Sequence, residues 1–227
     1  KQYDEALASL DRIEEKDIRL KTAYQIIAYN KGIEQYQRNN FMDAVEALNL
    51  VNRYPVDNNL TGKALFWQGE AFYAMRRYVD AIKKYRAFIA VPSSSNKDLK
   101  EAAYYNIGYA YYEQEDYIQA IEAFRTFTQL PSNKDDVRLA DAYTRIGDAY
   151  YTKKEPAFEN AAINYEKAVE LNTDNVDRSL FYLAKVYGFI PDKRMSKITT
   201  LLDIVNNHSN SQYIVPAIFE IGISYKY

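Results

Sequence analysis

The sequence predicts an all-α solenoid of stacked antiparallel helix pairs, and three observations predict it. A glycine and an alanine twelve residues apart recur as Gly32/Ala44, Gly69/Ala81 and Gly108/Ala120, and the glycines return every 37 to 39 residues. A fixed period in this range marks units that bury their apolar faces only against their neighbours. Apolar residues three and four apart run from Lys63 to Arg77 and from Ala102 to Gln114. Each run is followed, after a short polar break, by a second stripe: Tyr78, Ala81, Ile82, Tyr85, Phe88 and then Tyr117, Ala120, Ile121, Phe124, Phe127. Such stripes are amphipathic helices, so helix pairs are the unit. Pro55, Pro92 and Pro131 fall where the second helices should stop, because proline cannot donate to the helix ladder and disfavours helical geometry in the residue before it.

The elements follow in order. Residues 1–14, with Tyr3, Ala6 and Leu10, fit the second helix of a preceding pair. Pairs are expected over 22–55, 59–92 and 98–131. A fourth pair, over 137–172, carries Gly147, Tyr150, Tyr151, Phe158, Ala161, Tyr165 and Ala168, with two extra residues in its Lys153–Pro156 turn. In a degraded fifth pair, over 175–208, Ala184 replaces the glycine, Tyr187 follows on schedule, and Thr199, Leu202 and Val205 supply the second helix after Pro191. Residues 212–227, with Ile218, Gly222 and Tyr225, fit the first helix of another pair. Both ends fall inside a pair, so 1–227 is expected to be one array within a longer protein whose cut ends could self-associate. The glycine is expected to let the two helices of a pair approach closely, with the small alanine meeting it. The ring opening the second helix covers the turn, and the ring four after the alanine, Tyr85 or Phe124, fills the gap toward the next pair.

Composition limits the chemistry. Twenty-nine basic and 31 acidic residues leave a net charge of -2, which gives no general attraction to nucleic acid or an anionic membrane. Cysteine is absent and His208 is the only histidine, so thiolate zinc sites, disulfides and cysteine nucleophiles are excluded. No run approaches the roughly 20 apolar residues of a membrane helix. The 23 tyrosines are the anomaly.

With bulky, glycine, tyrosine, aromatic, alanine and proline positions at these offsets, the chain resembles the tetratricopeptide repeat family over nearly its whole length. That resemblance implies a right-handed superhelix of antiparallel helix pairs acting as a non-enzymatic protein-interaction scaffold. Connectors such as Val91–Lys97 and Pro131–Asp136 are longer than the family's usual ones. The phrases Ala64–Tyr73 and Tyr104–Tyr112 are similar to Gram-negative envelope members of the family, Tol-Pal-associated coordinators and outer-membrane assembly lipoproteins. This narrower resemblance implies the periplasm or outer-membrane periphery, with the cytoplasm as the alternative.

In the family the first helices line a concave groove. Carried over residue by residue, the groove positions here are Tyr36, Tyr73, Tyr112 and Tyr151 in one row, Tyr29, Phe66, Tyr105 and Thr144 in another, and Ile33, Glu70, Tyr109 and Asp148 in a third. The expected ligand site is therefore Tyr29, Tyr36, Phe66, Glu70, Tyr73, Tyr105, Tyr109, Tyr112, Asp148 and Tyr151. Tyrosine gives large contact area at low entropic cost plus a hydroxyl for orientation, which suits an extended or helical peptide. Glu70 and Asp148 would bias it toward basic ligands. The competing reading is that the tyrosines only complete packing between first helices. Phe72, Tyr111 and Tyr150 read as packing residues, and Trp67 as core or rim.

The family's carboxylate-clamp lysine and asparagine are missing, and basic groove candidates reduce chiefly to Lys63, Arg178 and Lys185. A shared catalytic role for Glu70 and Asp148 is disfavoured because two pairs separate them, and they read as solvated charges. His208 sits in a polar Asn206–Asn210 loop without a second imidazole, so no metal, cofactor or catalytic residue is expected. The basic run Asp192–Lys197 reads as a solvated turn. Two alternatives stay open: a glycan or peptidoglycan-binding module using the same rings, and an accessory region of a larger enzyme.

Overall fold

The computed structural model describes residues 2–92, 97–130 and 136–226. Pro131, the stop assigned to the third pair, and most of the two long connectors lie outside them. Twelve α-helices and one short 3-10 turn occur among the described residues, with no strand. By contacts the chain divides into two compact bodies, residues 1–114 and 115–227, the break falling between the helices expected to form the third pair.

The N-terminal body contains α1 (Gln2–Asp11), α2 (Ile18–Gln37), α3 (Phe41–Leu50), a 3-10 turn (Val51–Arg53), α4 (Asn58–Ala74), α5 (Tyr78–Ala90) and α6 (Lys97–Tyr112). Helices start where side chains can satisfy the orphan amides of a first turn. The Asp17 carboxylate accepts from the Leu20 amide, and Asp57 accepts from Asn59. Buried Gln25 ties the second pair to the first. Its Nε2 donates to the Asp57 carbonyl and Thr61 Oγ1, and its Oε1 accepts from the Asp57 amide. The turns inside the pairs close through a left-handed residue that is not glycine, Asn39 at φ 62° and Arg76 at φ 57°.

The C-terminal body contains α7 (Tyr117–Thr128), α8 (Asp136–Thr152), α9 (Phe158–Glu170), α10 (Val176–Tyr187), α11 (Arg194–Asn207) and α12 (Ile214–Lys226). One core cluster joins Ala161, Tyr165, Leu183 and Val186, and another joins Leu180, Ala184, Leu201, Ile204 and Ala217. The degraded pair is well packed: Ala184, Leu201 and Ile204 are fully buried.

The glycines do their work against a different partner from the alanine expected. A Cβ on Gly32 would lie 2.5 Å from the Leu48 side chain, on Gly69 2.5 Å from the Tyr85 ring, and on Gly147 2.8 Å from the Tyr165 ring. The partner is thus the residue four after the alanine, one helical turn further on, which projects across the pair because residues four apart share a helix face. Tyr85 and Tyr165 are fully buried, so neither ring has space to retreat. Gly222 in α12 differs, with nothing within 4 Å of its notional Cβ, and Val215, Phe219 and Tyr225 of that helix are exposed.

Candidate peptide-binding face

The first helices of the N-terminal body carry a set of half-buried rings. Tyr36 of α2 packs edge-on against Trp67 of α4 at 5.0 Å, and against Phe41, which opens its partner helix, at 5.5 Å. Tyr29 and Trp67 pack against the same core cluster. Tyr73, one turn beyond Glu70, packs on Tyr78 at 5.4 Å, and Tyr105 packs on Tyr109 at 5.1 Å. All six of Tyr29, Tyr36, Trp67, Tyr73, Tyr105 and Tyr109 are partly buried, each with one side held in the protein and one left to solvent. Burial, reinforced by the charges of Glu113, Tyr78, Tyr109 and Glu70, pushes the Tyr73 hydroxyl up to about 12. Tyr36 is raised by burial and by Glu70. Both phenols stay protonated at neutral pH and present donors.

Two expected members differ from the expectation. Phe66 is 5 % exposed and packs inward on Tyr85 and Phe88, so it supports the face from behind. Glu70 is no freely solvated charge: its Oε1 accepts from the Tyr85 hydroxyl at 2.6 Å and from Asn106 Nδ2 at 2.5 Å. Burial raises its carboxyl above the ordinary glutamate range, with those two hydrogen bonds opposing.

In the C-terminal body Asp148 is likewise interior, 4 % exposed. It accepts from the Tyr165 hydroxyl at 2.7 Å, from Arg178 at 2.8 Å and from Arg145 at 3.2 Å. Its charge is spent on internal partners, which removes it as a selector for basic ligands. Arg178 also lies 4.9 Å over the Tyr182 ring, and its guanidinium is raised further by Asp148 although burial opposes this. Above this cluster lies a cleft of about 490 Å³, bordered by Asp141, Thr144, Arg145, Asp177, Arg178 and Tyr213. Within it Arg145 also pairs with Asp141, and Asp177 accepts from Ser211. Tyr151 leans on Phe158 and Phe189, both at 6.2 Å. Tyr112 is partly buried near the end of the N-terminal body.

The sequence reading missed Trp67 as a member of the face and the tyrosines four after the alanines as partners of the carboxylates. Both were legible in register: Trp67 lies two before Gly69, and Tyr85 and Tyr165 occupy the same place relative to Ala81 and Ala161. What hid them was the assumption that a position reserved for packing makes no polar contact. Among the described residues no group of histidines and acids could hold a metal ion, and no helix is long and apolar enough to cross a membrane.

Residues 29–97, 101–134 and 140–175 match models of the tetratricopeptide repeat, together more than half of the chain. No curated protein sequence matches it. Solved structures share the fold at low identity. MamA is 20 % identical, with 83 % of this chain and 96 % of that one covered and a TM-score of 0.64. The C-terminal part of a TPR repeat-containing protein from Cytophaga hutchinsonii is 16 % identical, with coverage of 99 % and 83 % and a TM-score of 0.68. YrrB, a TPR protein with an unusual peptide-binding site, is 12 % identical, with coverage of 90 % and 94 % and a TM-score of 0.60. The period, the helix pairs, the packing glycines and these matches agree that the chain belongs to the tetratricopeptide repeat family.

Proposed function

We propose that this chain is a non-enzymatic interaction scaffold that binds a peptide segment of a partner protein across the face formed by α2, α4 and α6. The observation that carries the reading is the set of half-buried rings that α2 and α4 hold together, Tyr29 and Trp67 on one core cluster and Tyr36 edge-on against Trp67, with Tyr73 two turns further along α4. Among the described residues the Tyr36 and Tyr73 hydroxyls make no hydrogen bond, so the face offers apolar area and unsatisfied donors together. Rings already fixed by their neighbours lose little freedom on binding, so contact area is converted to affinity with a small entropic cost. YrrB, which shares the fold, lends support because its own site takes a peptide.

Affinity capture from an extract of the source cell tests this, with the wild type and a Tyr36→Ala/Tyr73→Ala variant as baits and circular dichroism to confirm that both are folded. Loss of a specific protein from the variant capture is the expected result, and identical captures sink the reading. The same rings could stack on a glycan, and titration with soluble peptidoglycan fragments separates that ligand from a peptide. The reading also puts the chain at the bacterial envelope, in the periplasm or at the outer-membrane periphery. That part is supported only by the resemblance of the Ala64–Tyr73 and Tyr104–Tyr112 phrases, and subcellular fractionation tests it.

A further inference from the structure

The residue after the packing glycine is a carboxylate in two pairs, Glu70 after Gly69 and Asp148 after Gly147. Each accepts a hydrogen bond from the tyrosine four residues after the alanine of its partner helix. Beyond that the two sites diverge. Asp148 receives two guanidiniums: Arg145, two residues before Gly147, and Arg178, six residues before Ala184 in the next first helix. The same register positions around Glu70 are Trp67 and Ala102. Asn106 donates to Glu70 instead, and it does so to the oxygen that Tyr85 already uses. Oε2 is left without a hydrogen bond, and among the described residues the carboxylate has no ion pair.

A carboxylate drawn out of water without a cation is costly, and the cost is recovered when a cation is supplied. Glu70 keeps part of its surface in solvent, so a cation can reach it. Trp67 and Tyr73 lie one turn before and one turn after it on α4, where residues three apart are neighbours, and Tyr36 packs on Trp67; the charge of Glu70 helps to raise both phenols. The faces of such rings attract cations, and a flat guanidinium can stack on a ring while pairing with a carboxylate in its plane. The molecule already does this once, with Arg178 stacked on Tyr182 and paired with Asp148.

We propose that Glu70, flanked by Tyr36, Trp67 and Tyr73, binds the guanidinium of an arginine on the peptide, supplying from outside the cation that Arg178 supplies to Asp148 from within. This rests on the reading of the N-terminal face as a peptide site and adds which side chain that site selects.

The test pans a random peptide library over the immobilised protein, then resynthesises a selected peptide with citrulline, the neutral isostere, in place of each arginine. Trp67 is the only tryptophan in the chain and reports binding by its fluorescence. Arginine should be enriched, and citrulline at one position should weaken binding by about tenfold, the scale of one charge-assisted contact. Glu70→Gln should weaken the arginine peptide by the same factor and leave the citrulline peptide unaffected. Ala102→Arg, which places a cation at the register of Arg178, should block the same arginine. Circular dichroism checks both variants, and if Ala102→Arg does not fold, the cycle between Glu70→Gln and citrulline decides alone. If citrulline and Glu70→Gln leave affinity unchanged while Tyr36→Ala abolishes it, the arginine site falls and the peptide face stands. If nothing is selected, or no selected peptide responds to Tyr36→Ala or Tyr73→Ala, both fall.

Discussion

Glu70 and Asp148 hold the same place in two helix pairs, one residue past a glycine and beneath a buried tyrosine hydroxyl, yet they are different objects. Asp148 is closed: 4 % exposed, with two arginines drawn onto it. Glu70 is open, rimmed by rings, and its only described polar partners are Tyr85 and Asn106. The repeat fixes where a carboxylate will stand, and two register positions, Arg145 and Arg178 around one carboxylate against Trp67 and Ala102 around the other, decide whether it serves the fold or stays available to a ligand. A packing scaffold can thus be varied into a recognition surface without moving its backbone, which is how sites come to be grafted on folds.

The largest test of this contrast is removal of the charge itself. Asp148→Asn takes from Arg178 its carboxylate and leaves Arg145 with Asp141, and should cost about 3 kcal/mol in urea denaturation, the scale of breaking an interior ion pair. Glu70→Gln keeps a carbonyl for Tyr85 and Asn106 and should change stability by less than about 1 kcal/mol. If the two substitutions cost the same, the distinction between closed and open carboxylates is wrong.

Next is the glycine that seats each tyrosine. Gly69→Ala drives a methyl to within 2.5 Å of the Tyr85 ring and should cost about 2 kcal/mol by overpacking. Gly222→Ala, with nothing nearby to strike, should instead gain roughly 0.5 kcal/mol from helix propensity.

A pH series separates the carboxylates further. Because burial raises Glu70 above its ordinary value of 4.5, folding favours its protonated form. That contribution is fully present below pH 4.5 and is lost as pH rises through the folded-state value. The wild type should therefore lose stability relative to Glu70→Gln between pH 4.5 and neutrality, and parallel curves would contradict the assignment.

The smallest expected effect lies in the turns that deliver the two tyrosines. The turn before α5 passes through Arg76 at φ 57°, whereas the longer Lys153–Ala157 turn before α9 has no left-handed residue. Arg76→Gly should stabilise by about 0.5 kcal/mol, as glycine adopts that conformation without a Cβ clash, and thermal melts would show it.

Much of this was legible in the chain. The periodic glycines, stripes and prolines place α4 and α5 because each rests on local chemistry: a 3.6-residue repeat, a missing amide, a missing side chain. The tyrosines of the face were legible as well, since Tyr36 and Tyr73 occupy one register. What failed to carry over was burial, as with Phe66, which shares a register position with Tyr29 but faces Tyr85 and Phe88. A position in a repeat specifies a direction, and the size of the neighbours then decides whether that direction leads to solvent.

By itself, the sequence determined the helices, their pairing rhythm and the family, because these depend on spacing along one chain. Only the tertiary structure decided which carboxylate was neutralised and what the glycines made room for. Both depend on side chains from different helices meeting in space, as Arg178 meets Asp148 at 2.8 Å and the Tyr85 ring fills the room beside Gly69. Contact forces fall off over a few ångströms and charges are screened within about 10 Å, so what decides is distance in space, which spacing along the chain does not give.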